Sequence, residues 1–206
     1  MSHIALTEAG ANYTPVLIGK GVRGVVFLGL LDNQPVALKI LRTDSPAKNM
    51  HHEAKCLLKA NELGVGPTLY SWSPNIIVME YIKGENFDSF LATEDVKAVE
   101  NVLEQVFQQA YILDQAHLDH GQLTNASDHV IIRTDSKPVI IDFSCSSQIR
   151  KPKNVTALSS YLQRTLFPDQ LKDQELLTKL KRYKISPSVE TFSELMDVFK
   201  NRLRKR

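Results

Sequence analysis

The pattern of hydrophobic and polar positions along the first 82 residues predicts a β-sheet and one helix. Two runs of β-branched and apolar residues, 25–27 and 36–39, flank a polar turn at 32–35 and predict a strand hairpin. Apolar positions three and four residues apart, such as Ala54, Leu57 and Leu58, then predict a helix that ends at the glycine-containing segment 64–67. Residues 68–73 and 75–82 predict a second hairpin.

A helical period governs most of the rest of the chain, apart from a strand hairpin predicted at 130–132 and 139–141. Helices are predicted at 87–91 and 96–116, and at about 157–165, 169–183 and 188–203. The polar turn at 83–86 marks the boundary between an N-lobe of residues 1–82 and a compact C-lobe of residues 83–206, in an α+β fold. We expect the long helix at 96–116 to form the centre of the C-lobe, because its apolar residues share one face. These residues are Val99, Val102, Leu103, Val106, Phe107, Ala110, Leu113 and Ala116.

Composition adds few constraints to this picture. A chain of 206 residues with 43% hydrophobic and 23% charged residues can form one medium domain or two small lobes. A formal net charge of +2 indicates no partner by itself. We expect a cytoplasmic protein with no membrane contact, because no apolar run approaches the roughly 20 residues that span a bilayer and no secretory signal begins the chain.

Candidate chemistry begins at Gly19, Gly21 and Gly24, whose spacing is G-x-G-x-x-G. Glycine lacks a Cβ, so the backbone can adopt positive φ and bring its N–H groups close to phosphate oxygens. A dinucleotide-binding fingerprint requires a helix after the last glycine, whereas this loop returns into a strand. The V-A-L-K segment ending at Lys39 therefore favours a loop that covers nucleotide phosphates; the alternative is a plain hairpin with an exposed lysine.

A second group of polar residues lies next to two short apolar runs of the C-lobe, 130–132 and 139–141. Residues 117–129 read H-L-D-H-G-Q-L-T-N-A-S-D-H, and Asp142 follows three apolar residues and precedes Phe143. An aspartate at the end of a buried strand is suited to bind Mg²⁺ that bridges phosphates. The alternative for Asp142 is a residue that caps a turn.

These motifs, over about residues 15–165, resemble those of small atypical protein kinases. The chain is similar to the RIO kinases and to the kinase subunit of the KEOPS tRNA-modification complex, and looks closest to predicted serine/threonine kinases of archaeal type. The resemblance implies a two-lobe protein-kinase-like fold with a minimal helical C-lobe. It also implies a transferase that uses ATP and Mg²⁺ and phosphorylates a serine or threonine of an unknown protein substrate.

The resemblance also implies residue roles. Lys39 would neutralise phosphate charge and Glu53 would hold Lys39 in place, with Glu62 as a less favoured alternative. Met79 would lie behind the adenine, while Glu80 and Ile82 would offer main-chain groups to the base. The complete set of implied nucleotide-binding residues is Gly19, Gly21, Gly24, Val26, Ala37, Lys39, Met79, Glu80 and Ile82.

Residues 117–129 correspond to the catalytic loop of these kinases. The relatives carry H-G-D-L in this loop where eukaryotic kinases carry H-R-D-L, and the aspartate is the catalytic base. Gln122 stands at the position of that aspartate, and an amide cannot accept a proton as a carboxylate does. Asp119 is the alternative base if the loop folds differently. Gln122 therefore predicts either a slow kinase or an inactive one.

The second metal ligand is equally open in the sequence. Ser127 stands where the pattern expects an asparagine, and a loop two residues longer would place His129 there instead. We therefore predict a metal site formed by Asp142, His129 and Asp128, with Asn125 also available. A separate site formed by His117, Asp119 and His120 fits no structural zinc spacing.

The C-terminus carries five cations in its last seven residues, at 200–206. This cluster predicts contact with a polyanion such as RNA or tRNA, and phosphate contacts would make that binding strongly salt-dependent. The alternative is a basic helix end that favours the helix dipole.

Three further classes of function remain open at this level. The chain could be a nucleotide-binding pseudokinase that acts as a scaffold or switch, a kinase-fold ATPase, or a kinase of small molecules. Transfer of the γ-phosphate to protein, to water or to neither distinguishes them.

Overall fold

The computed structural model describes residues 4–5, 16–170 and 173–205. The chain divides into two compact units, Met1–Ile82 and Lys83–Arg206. Within the described part of the chain, no helix is long and apolar enough to cross a membrane. Each unit has its own sheet and helices, in agreement with the predicted α+β class.

The first unit contains a six-stranded antiparallel sheet and helix α1 (His51–Glu62). The strands follow the order β1-β3-β4-β6-β5, and β2 also pairs with β3. Both predicted hairpins and the predicted helix are confirmed. The strands are β1 (Ile4–Ala5), β2 (Val16–Lys20), β3 (Gly24–Leu31), β4 (Gln34–Leu41), β5 (Leu69–Trp72) and β6 (Ile76–Glu80).

The two faces of this sheet differ in character because side chains alternate along each strand. Val36 and Leu38 of β4 form a hydrophobic cluster with Val78 of β6. Ala37 and Lys39, one residue out of phase, point to the opposite face. This alternation places Lys39 away from the hydrophobic cluster on the same strand.

The second unit combines a small antiparallel sheet with five helices. The sheet consists of β7 (Gly84–Asn86), β8 (Val130–Arg133) and β9 (Pro138–Ile140). Seven of the eight apolar residues predicted for the face of α3 are buried, and only Ala116 is partly exposed. The helices are α2 (Phe87–Thr93), α3 (Val96–Gln115), α4 (Asn154–Leu166), α5 (Gln174–Ile185) and α6 (Val189–Leu203).

Helix α5 begins five residues later than predicted. Residues Pro168–Gln170 form a 3₁₀ turn, and Asp173 then caps α5 by accepting a hydrogen bond from the Leu176 N–H at 2.8 Å. An N-terminal capping residue has a non-helical backbone, so the helix cannot extend back through Asp173. Helix α6 begins as predicted, with Ser188 and Thr191 forming a capping box.

A buried carboxylate joins three helices of this unit. Asp114, in the last turn of α3, accepts hydrogen bonds from the backbone N–H groups of Asn154 and Val155 at 2.8 and 3.2 Å. It also accepts from the Tyr183 hydroxyl of α5 at 2.9 Å. Burial raises the pKa of Asp114, although these hydrogen bonds act in the opposite direction. Asp114 therefore caps the first turn of α4 from a neighbouring helix.

Asn154 extends this network to the segment that carries the candidate catalytic residues. Its amide nitrogen donates to the carbonyl of Leu118, and its amide oxygen accepts from the N–H of His120, both at 2.8 Å. The start of the catalytic loop is thus fixed by hydrogen bonds to the buried end of α4.

Candidate functional site

Lys39 and Glu53 form a buried ion pair within the first unit. Lys39 is 5% exposed and Glu53 is 6% exposed, and the lysine Nζ donates to Glu53 Oε1 at 2.6 Å. Glu62, the alternative partner, instead accepts from Lys59 on the surface of α1 at 2.9 Å. A buried charge is costly unless it is paired, so each residue holds the other in place. The alternative of a hairpin with an exposed lysine is wrong.

The glycine loop connects β2 to β3 and is closed by the Gly21 N–H, which donates to Gly24 O at 2.9 Å. The positive φ that glycine permits is not observed in this loop; the described glycines with positive φ are Gly64, Gly66 and Gly121. Gly24 is instead favoured by the close approach of β4. A Cβ on Gly24 would lie 3.0 Å from Ile40 O and 3.2 Å from Lys39 Cγ, so glycine allows the loop to approach β4 closely.

Val26, Ala37 and Met79 lie on the same sheet face as Lys39, whereas Glu80 lies on the opposite face. Val26 is the cross-strand partner of Lys39, and Met79 is the partner of Ala37. Directly paired residues share a face, as do residues two apart on a strand.

The predicted base contacts of Glu80 and Ile82 rest on main-chain groups. The Glu80 N–H donates to Thr68 O at 2.8 Å, so a contact between Glu80 and a base has to use its carbonyl oxygen. Ile82 is buried, with 7% exposure. The roles of both residues stay predictions.

Asp142 lies just beyond β9 in the second unit and has a left-handed backbone, with φ 64° and ψ 79°. Its carboxylate accepts from the Ser144 N–H at 3.1 Å, so the turn cap of the alternative interpretation is present. Aspartate adopts this left-handed conformation more readily than most residues, so the metal-binding role of Asp142 stays a prediction. Asp142 is partly exposed.

His120 fixes the residue that precedes Asp142. It is fully buried, and burial lowers its pKa to about 4, so the imidazole is neutral near pH 7. Its Nε2 donates to the carbonyl oxygen of Ile141 at 2.9 Å. The ring also meets Phe143 edge-on, with ring centroids 5.1 Å apart. The end of β9 is therefore attached to the catalytic loop through His120.

This buried histidine predicts a loss of stability in acid. The unfolded state binds a proton near pH 6.5 and the folded state only near pH 4, so the free energy of unfolding falls as the pH falls through this window. The total loss is about 3 kcal/mol. We expect His120→Gln to flatten the dependence in urea unfolding between pH 7 and pH 4, whereas His51→Gln, on the exposed start of α1, should not. Equal slopes in wild type and His120→Gln would contradict this assignment.

Asp119 is a structural residue in this fold. It is fully buried, and its two carboxylate oxygens accept from Arg150 Nε and from the Lys153 N–H, the latter at 3.2 Å. This arrangement gives no support to Asp119 as a catalytic base. The sequence pattern does not single out Arg150; the one signal for it is an aspartate, Asp119, directly after the apolar Leu118.

Gln122 follows Gly121 at the start of a 3₁₀ segment, Leu123–Asp128. Its side-chain oxygen is buried, and no hydrogen-bond partner is found for it among the described residues. The assignment of Gln122 to the position of the catalytic base stays a prediction.

The predicted metal ligands do not assemble into a protein-only site. No group of three or more His, Cys, Asp or Glu residues is placed to hold a metal ion within ranges 4–5, 16–170 and 173–205. Neither Asp142 with His129 and Asp128, nor the His117 group, forms such a cluster. Asn125 donates to Asp128 at 2.6 Å, and its carbonyl lies 2.8 Å from His129 Nδ1. Mg²⁺ is usually held by one or two carboxylates together with phosphates, so Asp142 still fits that ion.

The basic C-terminus is engaged with carboxylates of its own unit. Arg204 pairs with Glu100 of α3 at 2.6 Å, and Lys200 pairs with Glu104 of the same helix. Arg202 is buried and pairs with Asp173 at 2.5 Å. These pairs favour the structural alternative for these cations. Arg206 lies outside the described residues, and contact with RNA stays a prediction.

Comparison with known proteins identifies the class. A sequence model of the RIO domain family matches residues 32–164, which is more than half of the chain. The chain belongs to this family, and the predicted two-lobe protein-kinase-like fold is confirmed.

The chain is also similar to one particular protein. The chain is 25% identical over 158 residues to the EKC/KEOPS complex subunit bud32 of Dictyostelium discoideum. The match covers 72% of this chain and 62% of that protein, so it spans about three fifths of the relative's length. The predicted resemblance to RIO and KEOPS kinases is thereby confirmed; the archaeal type stays a prediction.

Proposed function

We propose that this protein is an atypical protein kinase that transfers the γ-phosphoryl group of ATP, with Mg²⁺, to a serine or threonine hydroxyl of a protein. The observation that carries the proposal is the buried ion pair of Lys39 and Glu53 in a chain of the RIO family. In phosphoryl transfer, positioning and electrostatic stabilisation supply most of the catalysis. A lysine fixed by a buried carboxylate meets that requirement because it need not reorganise when charge develops on the phosphate.

Each residue then has a distinct task. Glu53 fixes the lysine head, and Lys39 stabilises the negative charge of the nucleotide phosphates. Gly24 leaves room for the start of β3 beside Lys39, and the glycine loop would offer its N–H groups to the same phosphates. Asp142 would hold Mg²⁺, which supplies Lewis-acid stabilisation of phosphate charge when bound.

Gln122 determines the expected rate. A carboxylate at this position would accept the proton of the attacking hydroxyl, and general-base assistance contributes roughly 10²–10⁴-fold. A glutamine can still orient the hydroxyl by a hydrogen bond, as one does for water in small GTPases. The protein is therefore a slow kinase rather than an inactive one. The second candidate, a pseudokinase, is favoured by the replacement of the catalytic carboxylate by Gln122, whose side-chain oxygen is buried and has no hydrogen-bond partner among the described residues.

Restoring a carboxylate at position 122 tests this proposal. We expect Gln122→Asp to raise the transfer rate about 10-fold or more, because a base is gained, and to leave ATP affinity nearly unchanged. The measurement is the transfer of label from [γ-³²P]ATP to protein and to water. Gln108→Asp, on the exposed side of α3, makes the same change of charge elsewhere and should have no effect.

The possible outcomes separate the candidate functions. Label in protein supports the kinase, and label released only to water identifies an ATPase. Binding of ATP without transfer by wild type or Gln122→Asp would favour the pseudokinase. Phosphorylation of a small molecule in place of protein would change the substrate class and keep the same site.

The similarity to a KEOPS subunit supports two further proposals. The chain would act in a protein complex, and its basic C-terminus would contact tRNA. Equal binding of tRNA by the full chain and by a chain lacking residues 200–206, at low salt, would remove the second of these.

A further inference from the structure

Arg150 joins the two segments that carry the candidate catalytic residues of the second unit. We infer that Arg150 is a positioning residue that holds the turn after Asp142 against the loop that carries Gln122. This inference rests on the proposed function, because it assigns Arg150 a role in that same site.

The guanidinium of Arg150 donates in two directions. Its Nε donates to the carboxylate of Asp119, and its Nη2 donates to the carbonyl oxygen of Cys145 at 2.9 Å. Cys145 ends the 3₁₀ turn Phe143–Cys145, whose N-terminal cap is Asp142. Arg150 therefore links the catalytic loop at Asp119 to the end of the turn that begins at Asp142.

The same guanidinium lies against the backbone beside Gln122. Gly121 has a φ of 86°, and a Cβ there would lie 2.5 Å from Arg150 Nη2 and 2.6 Å from Cys145 O. Any other residue at this position would displace the arginine or strain the backbone. The absence of a side chain at Gly121 thus leaves room for the Arg150 guanidinium beside the backbone that leads into Gln122.

The surrounding backbone holds Arg150 in this position. Asp119 and Ser147 exchange two backbone hydrogen bonds of 2.9 and 2.8 Å. The Ser147 hydroxyl oxygen accepts from the N–H groups of Ile149 and Arg150 at 3.2 and 3.0 Å. The loop therefore turns back so that Arg150 faces the buried carboxylate of Asp119.

The two partners of this ion pair differ in their exposure to solvent. Asp119 has a side chain that is 1% exposed, whereas that of Arg150 is 46% exposed. Among the described residues, removal of the arginine leaves the N–H of Lys153 as the one donor to the Asp119 carboxylate. A buried charge that has lost its ionic partner is strongly destabilised. The bridge between the loop and the turn would then loosen.

The expected effect is on turnover rather than on nucleotide affinity. In Arg150→Gln we expect kcat to fall about 10- to 100-fold, since displacement of a catalytic group by about 1 Å can cost that much. The KM for ATP should change less than about 3-fold, because Lys39 and Glu53 lie in the other unit. Arg150→Lys should restore little, since an ammonium lacks the planar two-direction geometry of the guanidinium.

A matched control separates this role from the loss of a charge. Arg182 has a side chain that is 47% exposed and pairs at 2.7 Å with Glu194, which is 25% exposed and also pairs with Lys179. Arg182→Gln therefore removes an arginine of similar exposure elsewhere in the same unit. We expect Arg182→Gln to keep the wild-type kcat. Equal kcat in Arg150→Gln and Arg182→Gln would overturn the inference, as would a lowered melting temperature of Arg150→Gln with unchanged kcat.

Amide hydrogen exchange supplies a readout that does not depend on activity. We expect faster exchange at the amides of Asp119 and Ser147 in Arg150→Gln, and unchanged exchange there in Arg182→Gln. If wild type transfers no phosphate, the proposed function fails while the exchange result still decides whether Arg150 holds the two segments together. Unchanged exchange in Arg150→Gln would overturn the inference in either case.

Discussion

Replacement of Lys39 by methionine is expected to lower phosphoryl transfer by about 10²–10³-fold or more and to weaken ATP binding, because the nucleotide phosphates lose their fixed cation. Lys39 Nζ lies 2.6 Å from Glu53 Oε1, and both side chains are 7% exposed. The single substitution therefore also leaves a buried carboxylate without its lysine, which costs about 3–5 kcal/mol of stability in comparable sites.

The double variant Lys39→Met/Glu53→Gln separates these two effects. It removes both charges, so we expect it to recover much of the lost stability without recovering transfer. Lys59→Met is the control, since Lys59 forms an exposed pair with Glu62 on the same helix as Glu53. Transfer rates report catalysis, calorimetry reports ATP affinity, and urea unfolding reports stability. Wild-type activity in the double variant would refute the assignment of Lys39.

Asp142→Asn is expected to abolish Mg²⁺-dependent transfer while the fold is retained. Asparagine tolerates the left-handed backbone of this position, and its side-chain oxygen can still accept from the Ser144 N–H. What is lost is the negative charge that a hard cation requires. We therefore expect nucleotide affinity without Mg²⁺ to stay unchanged and the gain in affinity on adding Mg²⁺ to disappear.

Two further substitutions decide whether Asp142 is the principal metal ligand. Asp135 lies in the surface turn between β8 and β9, so Asp135→Asn serves as the control for the loss of one negative charge. Asp128→Asn tests the neighbouring candidate, whose carboxylate accepts from Asn125. A larger loss at Asp128 than at Asp142 would move the metal site to the loop Leu123–Asp128.

Both predictions concern residues that short-range pattern could identify. Lys39 follows from a strand of period two, and Glu53 from a helix that begins after a polar turn. Asp142 follows from a polar residue directly after an apolar strand. Local periodicity determines the element and the face on which a residue lies, and the kinase resemblance then implied a role for each of these three residues.

The glycine loop shows a contact that local pattern could not supply. The spacing of Gly19, Gly21 and Gly24 predicted a loop between strands, and β2 and β3 confirm it. The positive φ that glycine permits is not observed in this loop. A Cβ on Gly24 would lie tightly against Ile40 O and Lys39 Cγ, and those atoms belong to a strand that pairs with β3 only after folding.

The sequence by itself thus determined the α+β class, the two hairpins, the long helix α3 and the elements that carry Lys39, Glu53 and Asp142. Only the tertiary structure decided which distant polar groups meet. Asp119 accepts from Arg150, 31 residues away, and Asp114 accepts from Asn154, 40 residues away. A buried charge must find a partner when its segment leaves water, but periodicity carries no information on which partner the packing will supply. For that reason Asp119, a candidate base in the sequence, is part of an ion pair in the folded chain.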